Sequence, residues 1–447
     1  MIHCFSIKGR HLVFDANSQA LHRVDDLTLA LLEGQSPAEL AGLYPREEID
    51  EALDEIAALT RQGLLNAPDP YGAYTPPEPC VKALCLNVAH ACNLACGYCF
   101  AGQGSYGGGA GLMKAETARR AVDFLLAGCG RRRRLEVDFF GGEPLLNPDV
   151  IRGTVAYARE RGAAAGKVFS FTVTTNAVLL DEDFTEFCLA NAINVVLSLD
   201  GRPEVHDRLR RTRGGDGSYD LVFPRIRRFL ERWAAWDGPK GYAFVRGTYT
   251  RNNLDFAADF EHLAASGIRH VSLEPVVSDP AEAYAVREGD VERIREEYRR
   301  LAEVYLDLAR RGDGVRFFHF ELDLEGGPCL PKRLTGCGAG TDYLAVAADG
   351  GLYPCHQFVG QEGFLVGDVT GGIRRRDLVE LFRQAHVYRK KACRSCWAKF
   401  LCSGGCHAAA YFANRNLLEP SAVACELMRA RLECALYIKA REFDCAR

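Results

Sequence analysis

The amino-acid sequence predicts an α/β protein built on a partial (β/α)6 barrel, with a small winged-helix-like unit before it and a cysteine-rich unit after it. Three observations carry this. Apolar strand-like runs alternate six times with amphipathic helical runs between residues 81 and 277, the pattern of parallel strands joined by crossover helices. Short strands and three short helical patterns precede a proline-rich stretch. Ten of the eighteen cysteines lie beyond Phe317.

The first unit spans residues 1–66. Strand-like stretches at 2–7 and 11–15 are followed by helical patterns at 28–32, 37–43 and 47–62. The last repeats Ile49, Leu53, Ile56 and Leu59 at helical spacing. Through residue 70 there are five Lys and Arg against twelve Asp and Glu, a net of −7. A DNA-reading winged helix wants the opposite sign. Residues 67–79, APDPYGAYTPPEP, have no apolar period and read as a linker.

Residues 80–280 form the expected barrel, with strands at 81–88, 135–140, 168–174, 194–199, 242–249 and 271–277. Helical patterns fall at 115–127, 149–161, 183–190, 222–233 and 254–265. Six units leave the barrel short of the closed eight-fold TIM form, so it is TIM-like and partial. Residues 281–328 read as a helical bridge around a charged, solvent-facing helix at 291–310. Residues 329–447 make the cysteine-rich domain.

Hydrophobic residues at 48% and charged residues at 26% suit a packed globular chain. A net charge of −4 gives no general attraction to nucleic acid or an anionic membrane. There is no apolar run long enough to span a membrane, and the start, MIHCFSIKGR, lacks the order of a signal peptide. The expected location is therefore cytoplasmic. Disulfides do not persist there, so eighteen cysteines point to metal.

The sharpest motif is Cys92-x3-Cys96-x2-Cys99, directly after the first barrel strand. Three thiolates fall short of the four ligands of a tetrahedral zinc site. They can hold three irons of a [4Fe–4S] cube and leave the fourth iron open. The C-terminal mouth of a parallel barrel is where substrate chemistry is expected. The bland alternative is three buried cysteines packing as small hydrophobes. The second strand ends in Gly141-Gly142-Glu143-Pro144. Two glycines allow close backbone approach to a ligand, and Glu143 can accept from a cationic amine. Thr175 and Asn176 end the third strand, Ser198 and Asp200 the fourth, and Arg246 lies in the fifth. A hydroxyl and a carboxylate suit ribose hydroxyls, while an arginine in a barrel strand needs an acidic partner. Thr175, Asn176 and Arg246 could equally be ordinary structural polar residues at strand ends.

A second constellation reads Cys337-x12-Gly350-x4-Cys355, then Cys393-x2-Cys396-x5-Cys402-x3-Cys406, then Cys425. Taken alone, the 393–406 stretch reads as a zinc knuckle. His356 and His407 each follow a cysteine of the pattern and are either donors to cluster sulfur or plain polar neighbours. Cys4, Cys80, Cys85, Cys129, Cys188, Cys434 and Cys445 lack such spacing and read as structural.

The first triad, with Tyr98 and Phe100 beside it, resembles the radical S-adenosylmethionine (SAM) superfamily. The seven-cysteine pattern resembles the SPASM extension of peptide-modifying members. Longer stretches, VKALCLNVAHACNLACGYCFAGQG, LEVDFFGGEPLLN, FFHFELDLEGGPC and GCGAGTDYLAVAADGGLYPCHQFVG, resemble the maturases of SCIFF peptides (six cysteines in forty-five residues). The resemblance implies SAM and three [4Fe–4S] clusters as cofactors. It places the SAM cluster on Cys92, Cys96 and Cys99, and SAM contacts at Tyr98, Gly141, Gly142, Glu143, Asn176, Ser198, Asp200 and Arg246. It gives Cys393, Cys396, Cys402 and Cys425 to an outer auxiliary cluster, and Cys337, Cys355 and Cys406 to an inner one. Cys329 is a candidate fourth ligand of the inner cluster; the alternative is an iron left open for a substrate thiolate.

The resemblance further implies that residues 1–66 recognise a leader peptide by adding it as a strand. The implied partners are a leader-bearing cysteine-rich precursor peptide and an external donor of flavodoxin or ferredoxin type. The implied chemistry is reductive cleavage of SAM, hydrogen abstraction by the 5′-deoxyadenosyl radical, and closure of an intramolecular Cys-to-Thr-type thioether. Carbon–carbon cross-linking and formylglycine formation in sulfatases are the alternatives that share the machinery. A non-enzymatic Fe–S or zinc regulator would want a basic first unit.

Overall fold

Parallel strands buried on both faces build the centre of the molecule. The computed structural model describes residues 1–445 other than 110, 326 and 328. The chain opens with three antiparallel strands, β1 (Ile2–Ile7), β2 (Arg10–Asp15) and β3 (Leu21–Val24), in that spatial order. The sequence reading lacked β3, a four-residue strand whose side chains show no alternation of burial. Helices α1 (Asp26–Leu32), α2 (Pro37–Leu40) and α3 (Arg46–Arg61) follow. Asp25 and Ser36 cap the first two by accepting the backbone N–H groups of Thr28 and Glu39. Leu27, Leu40, Ile49 and Ala52 form their separate small core.

The large sheet begins with β4 (Ala83–His90), edged at its end by the short β5 (Gly111–Leu112). It continues through β6 (Arg134–Gly141), β7 (Val168–Thr175), β8 (Asn194–Ser198), β9 (Ala243–Tyr249) and β10 (His270–Pro275), each parallel to the last. Crossover helices α4 (Ala115–Gly128), α5 (Pro148–Ala164), α6 (Glu182–Ala190), α7 (Pro203–Leu209), α8 (Tyr219–Ala234) and α9 (Phe256–Ala265) connect them. The six strands and their order are those of a partial barrel.

Two features depart from the sequence reading. The charged helix α10 (Val291–Arg310) is not a solvated bridge, because it buries Ile294, Tyr298, Leu301 and Leu306 between α9 and the C-terminal helix. The barrel sheet also extends beyond six strands at both edges. β11 (Arg316–Phe317) pairs with β10 in parallel. After α11 (Leu330–Thr335), β12 (Tyr343–Val346) pairs with β4 in parallel, from Tyr343 opposite Ala83 to Val346 opposite Leu86. β13 (Gly351–Tyr353), β14 (Gly367–Asp368) and β15 (Gly372–Ile373) continue this edge antiparallel. The cysteine-rich region is thus joined to the barrel by main-chain hydrogen bonds.

Short helices α12 (Arg376–Arg383), α13 (Lys391–Arg394), α14 (Lys399–Cys402) and α15 (His407–Asn414) lead to the long α16 (Ala422–Cys445). The first unit docks on this end of the molecule. His3 lies flat on Trp397, with ring centroids 4.0 Å apart, and its Nε2 is 3.0 Å from Glu433 Oε1. The proline-rich stretch is strapped down. Arg383 donates to the carbonyls of Pro76 and Pro77, Tyr388 donates to Asp69, and Lys399, 3% exposed, pairs with Asp69 at 2.7 Å. Among the described residues no helix is long and apolar enough to cross a membrane.

Candidate active site

β4 ends at His90, and the next ten residues form an irregular loop carrying Cys92, Cys96 and Cys99. The end of α7 and the segment after it hold that loop: Gly97 N–H donates to Leu209 O and Ala95 N–H to Arg211 O, both at 2.8 Å, and Arg213 Nε donates to Cys92 O at 2.6 Å. Glycine is required on the facing loop. A Cβ at Gly141, whose φ is +132°, would stand 2.4 Å from Ala89 O, and one at Gly142 would stand 2.2 Å from Ala91 O. The two glycines therefore bring the β6 loop against the cysteine loop, backbone to backbone.

Together these loops line a cavity of about 180 Å³ at the C-terminal ends of the strands. Cys92, Cys96, Cys99, Tyr98, Gly141, Gly142, Glu143, Asn176, Ser198 and Arg246 all reach it. Asp200 does not. Its carboxylate accepts from Tyr98 Oη at 2.5 Å and from Thr248 N–H at 3.0 Å, and Arg210 Nε lies 3.0 Å away as an ion pair off the hydrogen-bond line. Three protein groups thus already surround this carboxylate. Arg246 has its acidic partner in the protein too. Glu274, two residues beyond its cross-strand neighbour Ser272, stands 3.4 Å away on the same face.

Glu143 is 1% exposed and forms no ion pair among the described residues. It accepts from Thr175 Oγ1 at 2.7 Å, Asn176 N–H at 2.8 Å and Leu145 N–H at 3.0 Å. Burial pushes its pKa up to about 7 against those hydrogen bonds. Such a carboxylate, held by neutral donors and facing a cavity, fits a cationic amine. Asn176 Nδ2 donates to Asn93 Oδ1 at 2.8 Å and lies 3.6 Å from Cys92 Sγ. Burial raises Cys92 to about 12 and Cys96 to about 11, with the carboxylates of Glu143 and Asp200 respectively, and then the neighbouring thiols, adding to it. Ligation by iron would hold both as thiolates.

The C-terminal cysteines gather in two sets. Burial raises Cys393 to about 12, with Cys402, Cys425 and Cys396 adding to it. The same four line one cavity of about 760 Å³. Cys355 is raised by burial and then by Cys406 and Cys337. Cys329 lies in a cavity with Cys337, under Tyr74, Pro76 and Pro77 of the strap. Among the described residues no three His, Cys, Asp or Glu side chains meet where one metal ion would sit. A cubane takes its thiolates at separate corners and asks for no such meeting point. Of the remaining cysteines, Cys85, Cys129, Cys188 and Cys434 are buried and Cys4 and Cys80 partly so. The Cys445 side chain lies outside the described residues.

Sequence reasoning missed Arg210, Glu274, Gln357 and Lys390. Arg210 and Lys390 sit among other basic residues with no spacing that marks them, and Glu274 lies within a strand. His356 and Gln357 line the barrel cavity directly after Cys355, so the inner set adjoins it.

Residues 86–234 match the model of the radical SAM superfamily. The chain is 29% identical over 352 residues to the mycofactocin maturase MftC of Mycolicibacterium smegmatis, covering 75% of this chain and 81% of that one. It is 24% identical over 377 residues to a serine-type anaerobic sulfatase-maturating enzyme of Klebsiella aerogenes, covering 81% and 87%. Among solved structures, anSMEcpe with bound AdoMet and a Cp18Cys peptide superposes with a TM-score of 0.65 at 19% identity, covering 81% of this chain and 99% of that one. Streptococcus suis SuiB bound to its precursor peptide SuiA superposes with a TM-score of 0.51 at 16% identity, covering 95% and 98%. These two likenesses are of fold. The chain carries a radical SAM domain, and maturases are among its relatives.

Proposed function

We propose that this protein is a radical SAM maturase that modifies a small leader-bearing, cysteine-rich precursor peptide and closes an intramolecular Cys-to-Thr-type thioether. One observation supports it above the others. The barrel cavity shares Glu274, Pro275, Val276 and Val277 with a second cavity of about 410 Å³, whose far side carries Cys402, Cys406 and Cys425. A peptide residue in that chamber would lie between the barrel site and the C-terminal cysteines.

In this reading Cys92, Cys96 and Cys99 hold the SAM cluster, and the two C-terminal sets hold auxiliary [4Fe–4S] clusters. The loaded group supplies a carbon-centred radical able to take hydrogen from an unactivated carbon. Glu143, fixed by Thr175, Asn176 and Leu145, binds the SAM amine. Asp200 fixes Tyr98 and Arg210 beside the nucleoside, and Ser198 and Asn176 are polar groups facing it. Val276 and Val277 present apolar surface that keeps water from the reacting carbon. Residues 1–66 bind the leader, 80–280 form the radical SAM barrel, and 329–447 form the SPASM domain. The external donor is a flavodoxin or ferredoxin.

The similarity to a sulfatase-maturating enzyme favours one second reading, oxidation of a protein serine or cysteine to formylglycine. That 81% of this chain spans 99% of anSMEcpe leaves room here for an added recognition unit, which favours the peptide reading. The test incubates anaerobically reconstituted protein with SAM, a reductant and the cysteine-rich peptide encoded beside its gene, then reads the peptide by mass spectrometry with thiol alkylation. Loss of two hydrogens and of one alkylatable thiol, after disulfide reduction, is expected. Loss of two hydrogens with every thiol still alkylatable overturns the thioether.

A further inference from the structure

Two lysines are buried among the described residues, and they differ in what balances them. Lys399 has Asp69 at 2.7 Å. Lys390, 0% exposed, has no carboxylate partner among the described residues. Its Nζ donates to Gly404 O at 2.7 Å, and its own carbonyl accepts the Cys393 N–H at 2.9 Å. Gly404, with φ +85°, turns that carbonyl inward, and a Cβ there would stand 3.5 Å from Lys390 Nζ.

A buried ammonium balanced by one carbonyl is costly unless an anion faces it. Burial lowers the Lys390 pKa, and the groups that oppose this are the thiols of Cys393 and Cys402 from one set, and of Cys406 and Cys337 from the other. His386 and His407 also face it; burial keeps both below their ordinary pKa, and the Lys390 charge adds to that. The lysine is bonded to both sides of the cysteine pattern: its Nζ holds the carbonyl of Gly404, which lies between Cys402 of one set and Cys406 of the other, and its own carbonyl holds Cys393, so thiolates in these sets would face its charge.

We infer that Lys390 is a fixed cation shared by the two C-terminal cysteine sets, holding the reduction potentials of both metal centres above the value the thiolates alone would give. A centre with four thiolates gains negative charge on reduction, and a nearby cation stabilises that form more than the oxidised one. One lysine beside two centres shifts both in the same direction. The inference rests on the reading of both sets as Fe–S ligands. Lys390 is thus a positioning charge that touches no substrate.

The test is an anaerobic redox titration of the full-length reconstituted protein, followed by electron paramagnetic resonance, with iron analysis of every sample. Lys390→Gln keeps a donor for Gly404 O and removes the charge; Lys390→Arg keeps the charge. Expected is a move of both auxiliary midpoints to more negative values in K390Q, with the Cys92–Cys96–Cys99 centre unmoved and K390R near the wild type. Unmoved auxiliary midpoints in K390Q, or an equal move of all three centres, overturn it. If K390Q does not retain iron, K390R that retains it supports the charge, and K390R that also loses it overturns it. Wild-type protein with only about four irons per chain would instead defeat the underlying cluster reading.

Discussion

Replacing Glu143 with Gln separates a carboxylate kept for a ligand from one kept for the fold. In the unliganded protein its pKa rises from 4.5 to about 7 through burial. The folded protein therefore binds a proton that the unfolded chain has released between those two values. Stability falls as pH rises through that window, by at most about 1.4 kcal/mol per unit and about 3 kcal/mol in all. E143Q cannot titrate. The difference in thermal midpoint, wild type minus E143Q, is expected to decline steadily between pH 5 and 7.5 in metal-free protein. In reconstituted protein the loss of a charged hydrogen bond to the SAM amine, worth about 1.5–3 kcal/mol, weakens SAM binding about 10- to 100-fold by equilibrium dialysis. Wild-type affinity rises with pH through 7, and that of E143Q stays flat. A pH-independent stability difference together with unchanged SAM affinity would refute the assignment of Glu143.

Other residues give sharper structural tests. Gly142→Ala puts a Cβ 2.2 Å from Ala91 O, so the β6 loop must leave the cysteine loop; SAM binding is lost while the two C-terminal sets keep their iron. Arg210→Met leaves Asp200, 2% exposed, without its cation. A loss of about 3–5 kcal/mol is expected, read as a lowered midpoint in denaturant. Asp69→Asn strips the buried Lys399 of its countercharge and weakens the strap by about 2 kcal/mol. Limited proteolysis would show it as faster cleavage within residues 67–79 with the barrel intact.

The barrel was legible because its strands and helices are long and periodic, and each expected strand lies within two residues of the observed one. The additions at the sheet edges were not. β11 has two residues and β12 four, too short for periodicity, and their pairing with β10 and β4 is a long-range contact that no local pattern announces. α10 misled for a different reason. Its many charges mask an apolar stripe that α16 covers, and α16 itself went unread. In the site, thiols and glycines were legible because their chemistry and backbone needs are specific. The ion pair between Asp200 and Arg210, ten residues on, was not legible, because no local pattern announces it. The proline-rich stretch has a linker's composition, yet Asp69 and the carbonyls of Pro76 and Pro77 are clamped by Lys399 and Arg383 from more than 300 residues away.

The central claim is that the barrel site takes a hydrogen from a peptide carbon before that carbon bonds to sulfur. Its most direct test uses the precursor peptide with deuterated threonine and follows the label into 5′-deoxyadenosine by mass spectrometry. The account predicts one deuterium in 5′-deoxyadenosine for each thioether formed. Thioether formation with unlabelled 5′-deoxyadenosine would contradict the threonine acceptor, and labelled 5′-deoxyadenosine with every peptide thiol still free would contradict the thioether itself.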